Sequence, residues 1–326
     1  VPVWWNRGPR RGHSDLLRPD VWGTPEADDP RTPHLLNLAT HLSLSDNDVP
    51  KAVEMVHRHA ELSGPSDPLA SSRHDQLLGH LALFTGDLPS AIDALKRAAR
   101  TAIDADAPNA MAIVASLGFV ELASAGGASD GLSDRVLLTG RSHPIARPLA
   151  AELDGYRAWM LGDLDAADLR LSQAISGYTD AGGPAWTTPA TALLATVACH
   201  RDDPDRAAGL LAGAIDQDDT AAVAAARGLA AAQHGDTDAA AQALATGARS
   251  LSDGTNPIWT YRVLAAAMHA GRALPTIGFD AATMAGAAAQ LASDVGLRIP
   301  VVDAQVLADA EGDTPPAEAL AMLRSL

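Results

Sequence analysis

The stretch Gly155-Tyr156-Arg157-Ala158-Trp159-Met160-Leu161-Gly162-Asp163-Leu164-Asp165-Ala166-Ala167 decides the fold. It reads as the end of one helix, a tight Gly-Asp corner and the start of a second helix. Gly162 can take a positive φ, which ends the first helix without a Cβ clash. Asp163 can accept the orphan N–H groups that open the second. Small and large residues fall at fixed offsets around this corner. Gly155 lies seven residues before Gly162, while Ala167, Leu171 and Ala174 lie five, nine and twelve after it.

The phrase recurs. Around Gly86-Asp87 the same offsets give Gly79, Ala91, Leu95 and Ala98. Around Gly235-Asp236 they give Gly228, Ala240, Leu244 and Gly247, and around Asp202-Asp203 they give Ala195, Ala207, Leu211 and Ala214. All four registers read small, small, Leu, small. A Gly or Ala before the corner lets two helices cross closely, with the Ala after the corner expected opposite it. One short helix pair cannot bury its apolar face alone, so self-similarity at about 30–45 residues predicts stacked pairs. The expected class is all-α, a right-handed α-solenoid of antiparallel helix pairs, about eight in number. The competing reading is an irregular Ala-rich bundle with chance Gly-Asp turns. The wide interval between Gly86 and Gly162 has room for one degenerate unit, residues 111–122 followed by 132–139.

Composition agrees. The 326 residues are 47% hydrophobic but only 4% aromatic, and Ala, the best helix former, carries the difference. The net charge of −16 disfavours direct nucleic-acid binding, because a phosphate backbone would meet long-range repulsion. The acidity reads as a solvated exterior or, less simply, as an acidic docking face. Cys199 is the sole cysteine, so neither an intrachain disulfide nor a cysteine zinc site can form, which suits a cytoplasmic setting. No uninterrupted apolar run reaches membrane-spanning length, so no membrane partner is expected. The first residue, Val1, points to a segment of a longer protein.

Residues 1–33 differ from the rest. They hold Trp4, Trp5 and Trp22 with the basic cluster Arg7, Arg10 and Arg11, and read as an extension or capping arm. Residues 34–326 read as the helical-repeat domain. Two helices are expected up to residue 62, broken near Asp48, and Asn256-Pro257 opens another helix.

The turn, small-residue and large-apolar positions resemble those of the tetratricopeptide repeat. They depart from it where the aromatic positions hold Leu or Ala, and where the corners at 86, 162, 202 and 235 are unevenly spaced rather than about 34 residues apart. Two further segments, Gly177-Tyr178-Thr179-Asp180-Ala181-Gly182-Gly183-Pro184-Ala185-Trp186 and Asn256-Pro257-Ile258-Trp259-Thr260-Tyr261-Arg262, place Gly or Asn, Pro and Trp before a helix. With the Ala/Asp/Arg-rich composition, this is similar to the repeat domains of large actinobacterial transcriptional regulators of the MalT-like, LuxR-type ATPase family. In that family the repeat domain senses an inducer or partner protein, between a nucleotide-switched ATPase and a DNA-binding helix-turn-helix. Neither a Walker A sequence nor a helix-turn-helix stands in this chain, so the resemblance implies the sensor part alone.

The tetratricopeptide likeness also implies which positions face a concave groove. They are Arg73, Gln76, His80 and Leu83 in the unit of Gly79, then Leu149, Glu152, Tyr156 and Trp159 in the unit of Gly155. In the unit of Ala195 they are Pro189, Ala192, Thr196 and Cys199. A groove of apolar wall with a few polar groups suits a small effector or a peptide. Trp186, Trp259, Tyr261 and Arg262 are candidate anchors, being the residue types that dominate binding hot spots. Packing against neighbouring helices is the plain alternative for each aromatic, and a solvated surface for Arg73 with Glu152.

Catalytic signals are absent. The eleven histidines show no HExxH, and no G-x-S-x-G elbow appears. Gly126-Gly127-Ala128-Ser129-Asp130-Gly131 lacks the Lys of a phosphate loop. The expectation is a non-catalytic sensing or scaffolding module with no metal and no cofactor. Its partner would be a protein, a peptide or a small effector, and a free-standing peptide-docking adaptor is the alternative. An enzyme working in the groove is the remaining reading.

Overall fold

The structure is a computed structural model. It describes residues 32–45, 48–62, 67–127, 130–183, 186–213, 220–251, 256–308 and 314–326. The tryptophan-bearing arm expected over residues 1–33 lies outside them except for its last two residues, which open the first helix. Sixteen helices run through the described residues. They are α1 (Thr32–Ser45), α2 (Val49–Leu62), α3 (Pro68–Phe84), α4 (Leu88–Asp104), α5 (Ala110–Ala123), α6 (Leu132–Thr139), α7 (Ala146–Met160) and α8 (Leu164–Asp180). There follow α9 (Thr187–His200), α10 (Pro204–Gly213), α11 (Ala221–Gln233), α12 (Thr237–Ser250), α13 (Pro257–Ala273), α14 (Ala281–Val295), α15 (Val301–Ala308) and α16 (Pro316–Arg324). The protein is all-α. The nearest thing to a strand among the described residues is an isolated bridge between Ser124 and Leu297.

The four corners fold alike. Gly86, Gly162 and Gly235 take φ of 83°, 80° and 78°, and Asp202 takes 57° at the corner that lacks glycine. Asp is one of the few residues with a Cβ that tolerates this region. At each corner the following Asp N–H bonds the carbonyl five residues back, for example Asp163 to Ala158 at 2.9 Å. The Asp carboxylate then accepts the N–H three residues on: Asp87 from Ser90, Asp163 from Ala166, Asp203 from Arg206 and Asp236 from Ala239, at 3.0–3.1 Å. One residue type thus closes one helix and caps the next.

The small positions sit where helices cross. A Cβ on Gly79, Gly155 or Gly228 would lie 2.7, 2.7 or 2.6 Å from Cγ of Leu95, Leu171 or Leu244. The Leu nine residues past the corner, rather than the Ala five past it, is the main side chain opposite. Ala91 and Ala240 contribute backbone carbonyls to the same contact. All of these Ala and Leu residues are buried.

From α1 to α15 each helix packs on the next in sequence, and α5, α7, α9, α11 and α13 also pack serially on one another. Every residue of α5 is buried, and nearly every residue of α9, α11 and α13. A helix apolar all round must be enclosed on all sides. The even-numbered helices keep a solvent face, clearest in α4, whose buried residues are spaced at helical period. Residues 110–139 form the extra pair, α5 with α6. Buried Glu121 of α5 is held there by Lys96 and Arg135, each at 3.3 Å.

After α13 the chain turns back. Ala125 N–H bonds Gly296 O and Arg298 N–H bonds Ala123 O, while the Arg298 guanidinium donates to Gly127 O at 2.7 Å. Helix α15 packs on α7, where Val301 meets the corner at Gly162. Helix α16 packs on α12, and Arg324 donates to the carbonyls of Ala248 and Leu251.

Candidate functional site

The row of odd-numbered helices bends far enough for its members to meet across an interior cleft. Arg262 of α13 lies over three aromatic rings, with its guanidinium carbon 5.0 Å from Tyr156, 5.6 Å from Trp159 and 4.8 Å from Trp259. Tyr156 and Trp159 belong to α7, so this contact joins helices three pairs apart. Phe119 adds an edge-on contact to Tyr156. An arginine on aromatic faces gains cation–π attraction and leaves its N–H edge for an acceptor. The Nε of Arg262 is buried and has no acceptor among the described residues.

Arg262 and Leu193 line both of two adjoining chambers. The first, a cavity of about 30 Å³, has walls of Trp159, Ala192, Thr196, Ala222, Ala225 and Leu229, and a polar end of His200, Tyr261, His269 and Asp303. The second, also about 30 Å³, has Phe119, Glu152, Tyr156, Pro189, Asn256, Ile258 and Trp259. Each has only water-sized room in this conformation, so a larger ligand would have to part the walls. Helices α7, α9 and α11 present the same register to the cleft. Relative to the small crossing residue, the positions six before, three before and one after give Pro189, Ala192 and Thr196 in α9. In α11 they give Ala222, Ala225 and Leu229.

Glu152 stands at the floor of the second chamber, fully enclosed, and accepts a 2.6 Å hydrogen bond from the Tyr178 hydroxyl. Burial pushes its carboxyl up to about 7, against the pull of that hydroxyl and of the Arg262 charge. Burial and the neighbouring carboxylate together hold the Tyr178 phenol well above its ordinary range.

At the polar end of the first chamber, Asp303 of α15 is buried. It accepts from the Tyr261 hydroxyl at 2.9 Å and bonds His269 Nε2 at 2.7 Å. The His200 ring lies 5.0 Å from that of His269, and its Nδ1 receives a long 3.4 Å contact from Trp159 Nε1. Burial, with help from His269, lowers the His200 imidazole to about 4, so the ring is neutral. One ligand atom from each of His200, His269 and Asp303 lies within 4.8 Å of the others.

Nine residues picked from the sequence therefore meet here: Glu152, Tyr156, Trp159, Pro189, Ala192, Thr196, Trp259, Tyr261 and Arg262. Trp186 stands one contact away, edge-on to Tyr178 at 6.0 Å. Arg73, Gln76 and His80 are elsewhere, on α3. Gln76 is buried against Asn109, His80 is buried against the His41 ring, and Arg73 is half-buried. Cys199 is buried rather than lining the cleft, its thiol pushed up to about 12 mainly by burial. The walls of this partly open cleft come from α7, α9, α11, α13 and α15.

Sequence reasoning missed His200, His269 and Asp303. Each is on a different helix, and spacing along one helix cannot show a cluster assembled from three. The chain matches no protein-family model, and no curated protein matches it.

Proposed function

We propose that this chain is a non-catalytic sensing module, a right-handed α-solenoid of tetratricopeptide-like helix pairs, whose cleft takes a small effector with an apolar body and one anionic group. The observation that carries this reading is Arg262, which stands at the seam of the two chambers on three aromatic faces with a buried, unsatisfied Nε. A buried donor without an acceptor costs about 1–3 kcal/mol, which an incoming carboxylate or phosphate oxygen would offset. The alanine and leucine walls favour an apolar remainder.

A narrow cleft favours a small effector over a docked peptide. In the regulator reading the chain is the sensor part of a MalT-like regulator. Effector contacts with α7 and α13 would then favour the state in which these helices are closed, since a ligand acts only through differential affinity.

The test is thermal unfolding with a panel of aromatic and medium-chain monocarboxylates, each paired with its neutral amide. A carboxylate at 100 times its Kd should stabilise the chain by about 2.7 kcal/mol, and Arg262→Gln should remove the shift. Affinity should also weaken as pH rises through about 7, because ionised Glu152 opposes a second anion, and Glu152→Gln should flatten that dependence. If amides stabilise as well as acids, or if only extended peptides bind, the reading fails.

A further inference from the structure

We infer that His200, His269 and Asp303 form a binding site for a divalent transition-metal ion of the zinc class, with an open coordination position facing the first chamber. This stands apart from the effector reading, since it concerns the ion alone.

Two imidazoles and one carboxylate are a donor set that suits zinc and its neighbours rather than magnesium or calcium. The three ligand atoms lie within 4.8 Å of one another. A tetrahedral ion with bonds of about 2.0–2.2 Å holds its ligands roughly 3.4 Å apart. The 2.7 Å pair of His269 Nε2 and Asp303 Oδ1 must therefore open slightly, while His200 moves in. The ion takes the place of the hydrogen between Nε2 and Oδ1, and a neutral His269 then carries its proton on Nδ1. All three residues line the first chamber, which leaves the fourth direction to the cleft rather than to protein.

An outer partner is already in place. Tyr261 donates to Asp303 Oδ2 at 2.9 Å, which fixes the carboxylate with Oδ1 turned toward the histidines. Such outer hydrogen bonds orient metal ligands. Among the described residues, no other set of three His, Cys, Asp or Glu side chains gathers its ligand atoms so closely. The ring pairs at the other end of the chain, His41 with His80 and His59 with His74, belong to no such set among the described residues.

The experiment titrates the chain with Co2+, following visible absorption, and then with Zn2+ against a chelator of known affinity. The expected result is one equivalent of Co2+ with the intense absorption of a four-coordinate site, displaced by Zn2+ and not by Mg2+. Tyr261→Phe keeps all three ligands and should weaken binding about 10–100-fold. Asp303→Asn and His200→Gln should each abolish the one-equivalent site, while His57→Gln and His234→Gln should leave it unchanged. Circular dichroism checks folding. If Asp303→Asn does not fold, His200→Gln decides, because it leaves the pairs of Asp303 intact. Non-saturable binding, or one equivalent retained by folded His200→Gln, overturns the site.

Discussion

Glu152 shows how one enclosed residue ties stability to pH. Its folded-state carboxyl is raised to about 7 from an ordinary 4.5, mainly by burial. The folded chain therefore holds a proton that the unfolded chain releases between those values. The resulting stability is fully present below about 4.5 and is lost as pH rises through about 7. The loss is on the order of 3 kcal/mol, since each tenfold change in proton affinity is worth about 1.4 kcal/mol. Glu152→Gln keeps the shape and the Tyr178 bond but carries no charge. Urea unfolding should find it near wild type at about pH 5 and more stable than wild type at about pH 8. Equal stabilities across that range would contradict the assignment.

At the scale of the element, the hairpin corner is the repeating device. Gly155 and Leu171 share one crossing, with no room for a methyl group between them. Gly155→Ala should destabilise by about 1–3 kcal/mol through overpacking. Leu171→Ala should cost about 2–5 kcal/mol by leaving a cavity. The double variant puts the new methyl into the space that Leu171 vacates. Its cost should fall below the sum by about 1 kcal/mol or more, read as a double-mutant cycle in denaturant. Simple additivity would mean that the two do not meet. That a small residue marks the crossing was legible from offsets that recur four times, but the sequence reading set Ala167 opposite Gly155, where the structure places Leu171.

At the scale of the molecule, the return of the C-terminal segment welds late helices to early ones. Arg298 binds the turn after α5, Val301 seals the corner at Gly162, and Arg324 satisfies two carbonyls at the end of α12. Arg324→Ala should cost about 1–3 kcal/mol by orphaning the Leu251 carbonyl and leaving Ala248 O with the Leu251 N–H alone. It should lower the urea midpoint without changing the slope, which checks that the return belongs to the same cooperative unit. A separate early transition would show instead that the return frays by itself.

The sequence by itself determined the helices, their corners and the small-to-large crossings, because these depend on residues close together along the chain. Capping, positive φ and helical period act over a few residues, and the recurrence made them readable. It also marked nine of the residues that line the cleft, Arg262 among them, through their type and register. Only the tertiary structure decided that the helix row closes on itself, that α15 brings Asp303 to His269 and His200, and that Glu152 is sealed from water. Those outcomes rest on contacts between residues tens to more than a hundred positions apart, whose desolvation and mutual distance have no signature in local spacing.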